Sequence, residues 1–123
     1  MKILLDTHVL LWALEAPEKL GEEKIGFIKD LSNILYVSAV SIAEISIKVS
    51  IGKLTVNSDI LEAVDNAGFD LIDFTPKEAD LLKNLPFHHK DPFDRMLIAQ
   101  GIVNDYPVLT DDPKFSLYAC RVL

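Results

Sequence analysis

The sequence predicts an α/β domain with a mainly parallel central sheet. Three observations carry that expectation. Short apolar runs rich in β-branched residues alternate with longer segments of helical period, the order that βαβ units produce. The 123 residues fit one domain, 1–123, and are too few for a second independent core. Half of them are hydrophobic and 25% are charged, enough apolar side chain to offset the entropy of ordering, which argues against intrinsic disorder.

Each element has its own local reason. Lys2–Leu5 is short, apolar and bounded by Asp6, hence a buried strand. Val9–Glu15 has helical character and ends before Pro17. Glu22–Leu31 places Ile25, Ile28 and Leu31 on one stripe of a second helix. Ile34–Val37 is apolar and partly β-branched, a strand. Ser41–Ile51 is helical and stopped by Gly52; Asp59–Ala67 is helical and closed by Gly68. Asp70–Phe74 is a strand, and Lys77–Leu85 a short helix stopped by Pro86. Asp91 caps a helix with Pro92 at its first position, running to about Asn104. Tyr106–Leu109 is a strand, Pro113–Leu117 a helical turn and Ala119–Val122 a last strand.

Composition bounds the function. With 12 basic and 19 acidic residues the net charge is −7, which by itself argues against a broad nucleic-acid footprint. Bound divalent cations reverse the sign of a carboxylate cluster, so a nucleic-acid enzyme stays open. Cys120 is the only cysteine, so no disulfide forms within the chain, and the expected compartment is reduced and cytoplasmic. The longest unbroken apolar run, Val9–Leu14, is six residues. A membrane span needs ~20, so no membrane association is expected. Phosphate-loop, dinucleotide-binding, zinc-protease and nucleophile-elbow signatures are absent.

In parallel sheets the functional crevice lies beyond the carboxyl ends of the strands. Asp6 directly follows the first strand, Glu44 lies early in the helix after Ile34–Val37, Asp94 in the first turn after Asp91-Pro92, and Asp112 three residues past Leu109. Unpaired carboxylates brought together repel one another, and a hard cation with oxygen ligands makes the cluster favourable. Each acid also has a plainer role. Asp6 suits a helix cap. Glu44 completes a Ser41-x-x-Glu44 capping box and can pair with Lys48. Asp111 and Asp112 suit a polar turn. Asp94 precedes Leu97 and Ile98 on the apolar stripe of its helix, where an acid needs a partner or a metal.

The motifs around these acids carry a resemblance. Leu4-Leu5-Asp6-Thr7-His8-Val9-Leu10-Leu11-Trp12 resembles the opening of PIN-domain nucleases, particularly the VapC-like toxins of prokaryotic toxin–antitoxin pairs. Val37–Ile45 is similar to the family's second motif, with its acid at Glu44. His88–Gln100 is similar to the third, with its acid at Asp94. Val108–Phe115 is similar to the fourth, whose Thr-x-Asp pattern selects Asp112 over Asp111. The four motifs follow the family's order across positions 4 to 115.

The resemblance implies a PIN-like α/β/α sandwich with a mainly parallel central sheet. It implies Mg²⁺- or Mn²⁺-dependent endoribonuclease activity on an RNA substrate, a cognate antitoxin protein and a homodimer. Asp6, Glu44, Asp94 and Asp112 would then be catalytic and hold one or two ions, directly or through water. An activated water, not the RNA 2′-hydroxyl, would attack the phosphorus, leaving a 5′-phosphate. Lys90 and Arg95, with His88 and His89 nearby, are the expected clamp on the RNA backbone. Thr7 and Thr110 either orient carboxylates or serve as ordinary strand-end hydroxyls. The competing reading is a catalytically inert PIN-like protein-binding module. A receiver domain fits poorly, because Asp6 is followed by Thr7-His8 and not by a second acid.

Overall fold

The computed structural model describes residues 1–123. Its centre is a four-stranded, all-parallel sheet made of β1 (Lys2–Leu5), β2 (Ile34–Ser38), β3 (Asp70–Ile72) and β4 (Val108–Leu109). The spatial order is β3-β2-β1-β4. The chain therefore builds outward from β1 to β3 and then crosses back to lay β4 on the opposite side of β1. Leu4 pairs with Val108 and Leu5 with Leu109, so the last strand borders the first. Strand order reverses between β1 and β4, and open parallel sheets bind ligands outside the carboxyl ends at such a point.

Side chains alternate across the strands and feed two apolar layers. Ile3, Leu5, Leu35, Val37 and Leu109 belong to one core cluster. It is completed by Val9 and Leu10 of α1 (Thr7–Glu15), Ile25 and Ile28 of α2 (Glu22–Lys29), Ile45 of α3 (Ala39–Ser50) and Val64 of α4 (Ile60–Asn66). Leu4 and Val108 face the other way, into a cluster with Leu81 of α5 (Pro76–Leu81), Leu97, Ile98 and Ala99 of α6 (Pro92–Asn104), and Phe115. The result is an α/β/α sandwich. Gly101 sets the spacing of α6 over β4, since a Cβ there would lie 3.0 Å from Val108 Cγ2 and 3.2 Å from the Tyr106 carbonyl oxygen. No helix is long and apolar enough to cross a membrane.

Several expected boundaries move, each for a local reason. α2 stops at Lys29, and the Asp30 carboxylate accepts from the Ser32 N–H and hydroxyl, turning the chain. Leu31 leaves the apolar stripe as a result and is 99% exposed. α3 begins at Ala39, capped by Ser38, whose hydroxyl accepts from Val40 N–H at 3.1 Å. Ser41 is thus inside the helix, bonded to the Thr7 hydroxyl at 2.8 Å, and no Ser41–Glu44 capping box forms. The expected strand 119–122 reduces to a single parallel bridge between Val108 and Val122. Asp91 and Pro92 open α6 as expected, with Asp91 accepting from Asp94 N–H at 3.0 Å.

Candidate metal centre

A cleft of about 490 Å³ opens at the carboxyl edge of the sheet and is lined by Asp6, Glu44, Asp94 and Asp112. Asp6 reaches it because β1 ends there. Its backbone N–H still pairs with Leu109 O, while its side chain caps nothing and accepts from the Thr110 hydroxyl at 2.7 Å. Thr110 also accepts from Asp112 N–H at 3.0 Å, so one hydroxyl ties two of the acids together. The other threonine, Thr7, bonds Ser41 and no carboxylate. Glu44 projects from the second turn of α3. Its Oε2 accepts from Lys48 Nζ at 2.6 Å, the expected one-turn ion pair, while Oε1 is buried with no hydrogen-bond partner.

Asp94 enters from the first turn of α6. Burial, then the charges of Asp6 and Asp91, push its carboxyl up to about 7. Burial likewise raises Asp6, against the Thr110 hydrogen bond that lowers it. Both shifts have one leading origin, burial of a carboxyl away from water, reinforced by neighbouring carboxylates. Asp112 is the inward member of the Asp111-Asp112 pair. It caps the turn at Pro113–Leu117 through Lys114 N–H, and its Oδ2 lies 2.8 Å from His89 Nε2. Asp111 points to the rim, where it pairs with Lys24 at 3.0 Å.

Sequence reasoning underrated His89 and misplaced Arg95. His89 is buried at 6% exposure, and its Nε2 also lies 2.9 Å from Asp94 Oδ2. The imidazole thus stands between two acids, and donor atoms of the three residues lie within 4.8 Å of one another. Adjacent His88 instead packs edge-on against Tyr118, at the surface. Arg95 is 7% exposed and is corrected as a clamp residue. Its guanidinium donates to the carbonyls of Leu82, Leu85, Pro86 and His89, and Phe87 stacks on it at 4.1 Å. Both terminal nitrogens are committed to this loop and the side chain is buried, so it does not face a phosphate in the cleft. Lys90 is exposed and next in sequence to Asp91, which lines the cleft. Lys48 and Lys53 line the cleft directly.

The donor set fits a hard divalent cation. All four acids offer oxygen, one of those oxygens is buried and orphaned, and burial, with neighbouring carboxylates, keeps two of the carboxyls from ionising readily. Comparison with known proteins agrees with this geometry. The PIN domain family matches residues 3–119. The chain belongs to the PIN-domain family. Solved structures share its PIN fold. One is VapBC2 from Rickettsia felis bound to a promoter DNA fragment, at 16% identity and TM-score 0.73, covering 100% of this chain and 98% of that one. DNA-bound VapBC from Salmonella typhimurium gives 17% identity and TM-score 0.70, over 100% and 97% of the two chains. VapBC-5 from Mycobacterium tuberculosis, of the VapBC family of toxin–antitoxin systems, gives 18% identity and TM-score 0.59, over 99% and 95%. No curated protein sequence matches the chain.

Proposed function

We propose that residues 1–123 form a single-domain, divalent-metal-dependent endoribonuclease that acts in the cytoplasm as the toxin of a toxin–antitoxin pair. The observation that carries the nuclease reading is the convergence of Asp6, Glu44, Asp94 and Asp112 on one cleft, with Glu44 Oε1 buried and unpartnered. These four would hold Mg²⁺ or Mn²⁺, directly or through water. When bound, the ion supplies a Lewis acid that acidifies water and stabilises charge on phosphodiester oxygens.

The chain's own residues do the rest. Thr110 fixes the rotamer of Asp6 through its hydroxyl. Asp94 gives up the proton that its acidic surroundings hold near neutral pH once positive charge arrives. Lys48 neutralises Glu44 and, with Lys53, brings positive charge to the cleft wall where an RNA phosphate would enter. Lys90 remains the clamp residue of the loop before α6. With water rather than the RNA 2′-hydroxyl as the nucleophile, a 5′-phosphate product is expected. The likeness to VapBC complexes supports an antitoxin partner, and a homodimer is part of the same proposal.

The test is to induce the chain in cells and sequence RNA 5′-monophosphate ends beside an Asp6→Asn control. New ends and growth arrest that vanish in the control support the proposal. Wild-type RNA without new ends would favour the inert binding module, and 2′,3′-cyclic phosphate ends would refute the hydrolytic route.

A further inference from the structure

We propose that His89 is a positioning residue, a fixed N–H donor that holds Asp94 and Asp112 together, and that it is not a ligand of the ion. The inference deepens the metal-centre reading above and rests on it. Asp91 N–H donates to His89 Nδ1 at 3.2 Å, so Nδ1 is an acceptor and carries no proton. A neutral imidazole then has its proton on Nε2. That N–H has hydrogen-bond geometry toward Asp112 Oδ2 at 2.8 Å and touches Asp94 Oδ2 at 2.9 Å. To ligate a cation through Nε2 the ring would have to move its proton to Nδ1, against the Asp91 N–H that already points there.

The surroundings lock the ring in that role. Its edge meets Phe115 at a centroid distance of 6.1 Å. Its backbone N–H donates to the Tyr118 hydroxyl at 2.8 Å, which in turn donates to Pro86 O at 2.8 Å. The buried Arg95 guanidinium holds the loop from inside, reaching the carbonyls of Pro86 and His89. This accounts for a charged group buried one residue beyond Asp94: it fixes the loop that presents the imidazole. With His89 as donor the ion keeps an all-oxygen ligand set, suited to Mg²⁺ and Mn²⁺. An imidazole ligand would instead pull selectivity toward Zn²⁺ or Ni²⁺.

Two measurements test this. Long-range ¹H–¹⁵N correlation NMR of the imidazoles, with His89 assigned by its loss in His89→Gln, should show Nε2 protonated and Nδ1 bare, both metal-free and with Mg²⁺. A proton on Nδ1, or a Mg²⁺-dependent loss of the Nε2 proton, overturns the proposal. Calorimetric titration with Mg²⁺ should show His89→Ala weakened by about 10–100-fold. His89→Gln, which retains an N–H at similar reach, should stay within about threefold of wild type. His89→Ala binding like wild type, or His89→Gln as weak as His89→Ala, sinks the positioning role alone. A wild-type chain that takes up neither Mg²⁺ nor Mn²⁺ sinks the metal reading and the role with it. Should His89→Ala fail to fold, the NMR of wild type and the His89→Gln titration still decide.

Discussion

Asp94 sits at the first turn of α6 with Asp6, Asp91 and Glu44 around it, opposed by His89 and Lys48. Its proton equilibrium carries a stability consequence. In the unfolded chain this carboxyl releases its proton near 3.8, whereas in the folded, metal-free protein it holds on until about 7. Between those values the native state binds the extra proton, so stability falls as pH rises through the window. Melting in EDTA should therefore show a lower Tm at pH 8 than at pH 5. Asp94→Asn should flatten that slope, and saturating Mg²⁺ should reverse it. Arg95 offers a second residue-scale expectation. Arg95→Lys removes a planar fork that serves several carbonyls, which an ammonium cannot match. A loss of about 3 kcal/mol in urea unfolding is expected. The sequence shows a basic residue beside an acidic motif, but nothing local says that the loop carbonyls fold back over it. That is why Arg95 reads as a clamp from sequence and as an anchor in the structure. His89 is hidden for the same reason: its partners come from positions 94 and 112, brought together only by tertiary structure.

Elements with strong local punctuation are readable in advance. The Asp91-Pro92 opening of α6 and the Gly68 stop after α4 behave as their chemistry dictates, with Gly68 at φ +77°. Elements defined by pairing are not. β4 contracts to Val108–Leu109 because Pro107 has no N–H to give the ladder and contributes only its carbonyl, to Leu4 N–H. The contact of α6 with β4 gives an element-scale prediction. Gly101→Ala puts a methyl group against Val108 and the rigid Tyr106 carbonyl. About 1–3 kcal/mol should be lost in chemical denaturation. Because α6 also carries Asp94, Mg²⁺ affinity should fall with it, and calorimetry of the refolded variant checks this.

At the scale of the whole molecule, parallel strands alternating with helices follow from the order of apolar runs. The strand order does not, since no residue announces that the chain will double back across β1. That reversal is what turns scattered acids into one cleft. The cleft lies in a chain of net charge −7, so a bound dication relieves both local crowding and overall self-repulsion. A ligand at one hundred times its Kd stabilises by about 2.7 kcal/mol. Thermal melts with Mn²⁺ should accordingly rise by several degrees, and Asp6→Asn should abolish the rise.

The hydroxyl of Thr110 meets Asp6 across 104 positions of sequence. On the ribosome, Asp6 is made long before its partner. A nascent chain holding Asp6, Glu44 and Asp94 but not yet β4 lacks the neighbour that closes the cleft. Any activity that needs the closed cleft therefore waits until β4 has emerged and docked beside β1.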